Sequence, residues 1–174
     1  MSSARAALVT LFAISLASSE AEGSQRSLGV ETVIEQEYRA TGRPVTAIED
    51  PVAVMAKLFT IDEAQMVTLL DQALDEWNGC GLVQAGQTDW SSEHGWAKGQ
   101  LGEEELAEMM EDPFSRALYD ILLVDRNRAW SDWLAERMTR PGNVLLAVGA
   151  GHMAGPDSVL TMIEARGLKA ERIQ

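Results

Sequence analysis

The sequence is poor in several residues on which common chemistries depend. It has one cysteine, Cys80, so no disulfide closes within the chain and no multi-cysteine zinc site can form in it. Its two histidines, His94 and His152, are too few for a site of three imidazoles in one copy. Positive charge is scarce as well. The 14 Lys and Arg stand against 27 Asp and Glu, for a formal net charge of −13. Nucleic-acid binding needs a concentrated basic surface, and a polybasic grip on anionic lipid needs the same, so neither partner fits. What the chain does have is enough apolar material for a core: 46% of 174 residues are hydrophobic, in a length that suits one domain.

Residues 6–17, AALVTLFAISLA, are twelve in number, short of the ~20 that a transmembrane helix needs. No transmembrane span is expected. Two readings of this run stand. With Arg5 before it and Ala17, Ser18 and Ser19 at its end, it has the length of a signal-peptide core. Alternatively it is a helix of the domain, with Leu8, Leu11, Phe12, Ser15 and Leu16 near one face. Residues 1–27 are thus an apolar helix or signal-like segment followed by a polar loop, and residues 28–174 are the main domain.

Within that domain, Val30, Val33, Ile34 and Tyr38 form a helical stripe, stopped by Thr41-Gly42-Arg43-Pro44. Residues 45–48 favour a buried strand ending at Glu49, and Asp50-Pro51 supplies the cap and first-turn proline of the next helix. Thr60 and Glu63 have capping-box spacing before a helix to about Trp77. Residues 78–99 read as a loop carrying His94 and Cys80, with a helical turn near Trp96. A short acidic helix is expected from about Glu103. A long one follows over 113–140, burying Leu118, Ile121, Leu122, Trp130, Trp133, Leu134 and Met138. Residues 144–148, VLLAV, are apolar throughout, as in a strand covered on both faces. A helix over 156–166 and a strand over 169–173 complete a strand–helix–strand unit. The expected class is α/β and helix-rich, with a small mixed sheet.

The chemistry is expected after residues 144–148, in Gly149-Ala150-Gly151-His152-Met153-Ala154-Gly155-Pro156. In open α/β sheets ligands bind beyond the carboxyl ends of strands. Gly149, Gly151 and Gly155 let the backbone approach a ligand, and His152 can ligate a metal or move a proton near neutral pH. The plainer reading is a turn whose histidine bonds locally.

The segment NVLLAVGAGHMAGPDSVLTMIEARG, with its Gly149-x-x-His152, closely resembles the C-terminal motif of the TraB/GumN family, related to the Tiki metalloproteases. LGVETVIEQEYRATGRPVTAIEDP and LLVDRNRAWSDWLAERM resemble that family's acidic segment and its Arg-Asn-Arg helix. The resemblance implies a fold shared with erythromycin esterase-like and ChaN-like proteins, and a divalent-metal-dependent hydrolase or peptidase site. It places His152, Glu49 and Glu31 as candidate metal ligands. It also places His152, Glu49, Arg126 and Arg128 as catalytic candidates, with Gly149 and Gly151 lining the site. The implied substrate is a peptide or small molecule, and full-length relatives are expected to be periplasmic or secreted.

One departure tempers this. No histidine precedes His94, so the family's first Gly-x-x-His motif has no counterpart. The chain thus resembles the C-terminal two-thirds of a family member lacking its N-terminal strands, with an incomplete site. The rival reading is a non-enzymatic module that binds a ligand or partner on the same fold.

Overall fold

The computed structural model describes residues 3–21, 23–75, 91–100 and 113–173, and every regular element among them is helical. In chain order these are α1 (Ser3–Ala21), α2 (Val30–Ala40), α3 (Pro51–Leu58), α4 (Glu63–Asp75), α5 (Ser91–Ala97), α6 (Pro113–Tyr119), α7 (Asp125–Arg137) and α8 (Val159–Glu164). Two 3-10 turns lie at Arg26–Leu28 and Ala150–Met153, and a π-helical segment spans Asp120–Val124. The chain divides into two compact units, Met1–Ala47 with Phe59–Asp89, and Ile48–Leu58 with Trp90–Gln174.

In the first unit α1 packs with α4, and Leu8, Ile61 and Met66 are buried. The apolar run is therefore helical. Its proposed inward face holds only in part, since Phe12 and Leu16 are exposed. No helix among the described residues is long and apolar enough to cross a membrane. Helix α2 ends where its sequence predicts. Gly42 has φ +70°, its N–H bonds the Arg39 carbonyl at 3.0 Å, and the Arg43 N–H bonds that of Tyr38 at 2.9 Å. This is a Schellman closure, which calls for a left-handed residue. The start of α4 differs from expectation. Asp62 caps it, its Oδ1 accepting from the N–H groups of Ala64 (2.8 Å) and Gln65 (3.2 Å).

The second unit is built around α6, the π segment and α7, which run without a break from Pro113 to Arg137. The Asp125 N–H bonds the Asp120 carbonyl five residues back, one residue more than in an α-helix. Helix α3 packs on this segment and α8 packs on α7. Asp50 starts α3 as predicted, its Oδ1 accepting from the Val52 N–H at 2.9 Å. Lys57 bonds Asp125 at 2.9 Å, and Arg166 bonds Asp132 at 2.9 and 2.6 Å. Leu58, Phe114, Tyr119, Val124, Trp130, Ala154 and Val159 are buried. Trp133 and Met138, expected inside, are exposed.

The expected sheet is overturned. Among the described residues there is no strand, and 45–48, 144–148 and 169–173 are irregular. A strand draws its stability from a neighbouring ladder and from burial of its side chains, and strand propensity alone does not supply either. These runs have little of that burial: Leu145 is 53% and Ile173 91% exposed. The strand–helix–strand unit, and with it the α/β class, gives way to a helical architecture. Helix α8 is also shorter than expected, starting at Val159 with Ser158 as its cap. Most of the expected loop over 78–99 and the acidic helix from Glu103 lie outside the described residues. The helical turn expected near Trp96 is present as α5, and it extends back far enough to carry His94, which is exposed there rather than in a loop.

Candidate functional site

The i, i+4 spacing of an α-helix sets two pairs side by side on α7, Arg126 with Trp130 and Asn127 with Ser131. The first pair holds Glu49, from the irregular stretch before α3. Arg126 Nε donates to both carboxylate oxygens, at 3.1 and 3.0 Å, and Nη2 donates to Oε1 at 2.7 Å. Trp130 Nε1 donates to Oε2 at 3.2 Å. The Arg126 guanidinium lies 4.8 Å from the Trp130 ring centre, and its Nη1 donates to the Leu122 carbonyl at 2.9 Å. Charge-assisted, forked bonds of this kind fix orientation as well as contributing energy.

The second pair holds His152, which the 3-10 turn after Gly149 carries inward until it is 8% exposed. Its N–H closes that turn on the Gly149 carbonyl at 3.0 Å. The imidazole meets the Trp130 ring at 4.4 Å between centres, tilted by 47°. Its Nδ1 lies 2.7 Å from Asn127 Oδ1. Asn127 is buried, and its Nδ2 donates to the Asp157 carbonyl at 2.7 Å. Ser131 Oγ donates to the Asn127 carbonyl at 2.6 Å. Tyr119 donates to the Asp157 carboxylate at 3.3 Å, closing the far side of the cluster.

Burial lowers the His152 pKa to about 4, the Arg126 charge pushes the same way, and the Glu49 carboxylate opposes it. The imidazole is therefore neutral at pH 7. Burial raises the Tyr119 pKa, with the Asp157 carboxylate adding to the effect.

Of the residues singled out from sequence, Glu49, Arg126 and His152 come together. Arg128 points elsewhere and pairs with Asp125 on the surface at 3.3 Å. Glu31 lies exposed in the first turn of α2, in the other unit. Gly149 has φ −58° and Gly151 is not in the left-handed region, so only Gly155, at φ +76°, uses a glycine's freedom. A Cβ on Gly149 would sit 3.8 Å from His152 Cδ2, in ordinary contact. Sequence reasoning passed over Asn127 and took Trp130 as core alone. The signal for both was their spacing: each begins or ends an i, i+4 pair that also contains Arg126 or a small polar partner.

As donors to a divalent ion, the cluster offers one imidazole and one carboxylate, which fit such an ion in kind. Catalytic zinc takes three protein ligands, and the described residues hold no group of three His, Cys, Asp or Glu so arranged.

Residues 3–172 match the model of the TraB/PrgY/gumN family. The chain belongs to that family. The match begins in α1, well before residue 28, and so takes in the apolar helix. Curated relatives of the chain include two described as "Uncharacterized protein YbaP", from Escherichia coli (strain K12) and Shigella flexneri. Each is 26% identical over 141 residues, covering 81% of this chain and 50% of the relative. The chain thus spans about half the length of these curated relatives. No solved structure matches it.

Proposed function

We propose that the Glu49–Arg126–Trp130–His152 cluster is this chain's share of a metal-dependent hydrolase site of the peptidase type, acting on a peptide or small molecule. The observation that carries the reading is His152: a buried, neutral imidazole whose Nδ1 is held by Asn127 and whose remaining nitrogen can ligate or accept a proton. His152 Nε2 and a Glu49 oxygen would hold the ion, with further ligands from outside the described residues. A divalent ion in such a site lowers the pKa of bound water and polarises a carbonyl. Arg126 fixes the Glu49 carboxylate, and Trp130 covers one face of the imidazole and keeps water from it. Arg126, held between Glu49 and the Leu122 carbonyl, would supply positive charge to an oxyanion formed beside it.

Calorimetric titration of the chain with Zn²⁺ and Mn²⁺ tests the reading. Uptake at one site per chain is expected, lost in His152→Ala and weakened in Glu49→Gln. Equal uptake by wild type and His152→Ala would sink it. No uptake by wild type would do the same, and would leave the cluster as the core of a non-enzymatic binding module.

A further inference from the structure

The polar atoms around His152 can be matched in one way only. The Asp157 main-chain carbonyl can accept and cannot donate, so the Asn127 atom 2.7 Å from it must be the amide nitrogen. That orientation presents Oδ1, an acceptor, to His152 Nδ1 at 2.7 Å. Two acceptors at that distance would repel, so Nδ1 carries the proton and Nε2 carries the lone pair. The Asn127 amide is held in that orientation by burial, at 1% exposure, and by its bond to the Asp157 carbonyl. The π segment ends at Val124, three residues before Asn127, and so fixes the register in which α7 presents it.

We propose that Asn127 is a positioning residue that holds His152 in the Nδ1–H tautomer, so that Nε2 alone is available to a ligand or a proton. The functional consequence rests on the hydrolase reading above; the tautomer itself does not. In histidine ligands the hydrogen bond made by one ring nitrogen decides what the other can do. The Asp157 carbonyl acts one step further out by orienting the Asn127 amide, and Tyr119, bonded to the Asp157 side chain, braces that residue.

The test is long-range ¹H–¹⁵N correlation of histidine-labelled full chain at pH 7 without added metal. His152→Ala assigns the signals, and exposed His94 serves as the internal reference. Wild type is expected to show a protonated Nδ1 and a pyridine-like Nε2 at position 152. Asn127→Asp, which keeps an acceptor toward Nδ1, is expected to keep that nitrogen protonated. Asn127→Leu, close in size but without an acceptor, is expected to raise the Nε2–H fraction several-fold. Should Asn127→Leu fail to fold, Asn127→Ser, too short to reach Nδ1, is expected to give the same rise. A wild-type spectrum dominated by Nε2–H, or variants without an acceptor that match wild type, would overturn the proposal.

Zn²⁺ titration of the same proteins separates this proposal from the reading beneath it. Loss of the partner that orients a ligating histidine is expected to weaken ion affinity by about 10–100-fold in Asn127→Leu. Asn127→Asp is expected to stay within several-fold of wild type. If wild type takes up no ion while its tautomer is Nδ1–H, the hydrolase reading fails and the role of Asn127 stands.

Discussion

His152 couples the cluster to pH in a direction opposite to that of a salt-bridged histidine. Its pKa is about 4 in the folded chain, against an ordinary value of 6.5. Between those values the unfolded chain binds a proton that the folded chain does not. Stability therefore falls as pH drops from about 6.5 to about 4, by up to about 3 kcal/mol from this one group. Urea unfolding of wild type and His152→Gln at pH 7 and at pH 4.5 checks the sign, since the carboxylates that titrate in both proteins cancel in the comparison. Wild type is expected to lose more stability than the variant over that interval; parallel losses would show that the imidazole is not held neutral. At this scale the sequence was partly legible. His152 and Glu49 stood out because each lies beside a chain-turning segment. Arg126 and Arg128 looked alike, and only packing separates the one clamped on Glu49 from the one paired with Asp125 at the surface. Asn127 was illegible because an uncharged amide in a helix gives no sign of what faces it.

Some helix ends were legible, because their signals are local. Gly42 and Gly167 each follow a helix, and Asp50 caps α3 as its Asp-Pro sequence predicts. After α8, Gly167 adopts φ +83°, its N–H bonds the Glu164 carbonyl at 2.9 Å, and the Leu168 N–H bonds that of Ile163 at 3.1 Å. A Cβ added at Gly167 meets nothing within 4 Å, so substitution there probes backbone conformation without steric contact. Gly167→Ala is expected to cost about 1–2 kcal/mol, the penalty for placing an L side chain in the left-handed region. Thermal unfolding would then shift down by about 2–8 °C for a chain of this size. An unchanged midpoint would mean that the α8 terminus contributes nothing to the cooperative unit. Strands were the least legible elements. Residues 144–148 have the composition of a buried strand, yet a strand is a property of a pair, and nothing within the run VLLAV says whether a partner exists. The π segment was equally hidden, since no residue type marks the place where a helix takes in an extra residue.

For the whole molecule, the charge balance is the property that sequence states outright and structure only distributes. Several acidic side chains are neutralised by pairing: Glu35 with Arg39, Asp120 with Arg116, Asp125 with Lys57, and Glu136 with Arg140. Pairing does not change the total, and −13 remains. Most of these pairs are exposed, where each contributes about 0–1 kcal/mol. Self-repulsion of the excess carboxylates acts against them over longer distances and opposes the compact state. Salt weakens both, but not equally. Raising ionic strength from 0.01 to 0.15 M shortens the screening length from about 30 Å to about 8 Å. That removes repulsion between distant carboxylates while sparing pairs in contact at 2.6–3.3 Å. The midpoint of thermal unfolding is therefore expected to rise with NaCl over this range at pH 7, by about 2–4 °C for each kcal/mol of repulsion relieved. A falling midpoint would reverse the ranking and show that attraction within the surface ion pairs outweighs the repulsion. Repeating the series at pH 4.5 sharpens the test: protonating carboxylates shrinks the excess charge, so the rise with salt should shrink with it, while the His152 penalty, a matter chiefly of burial, should persist at both ionic strengths.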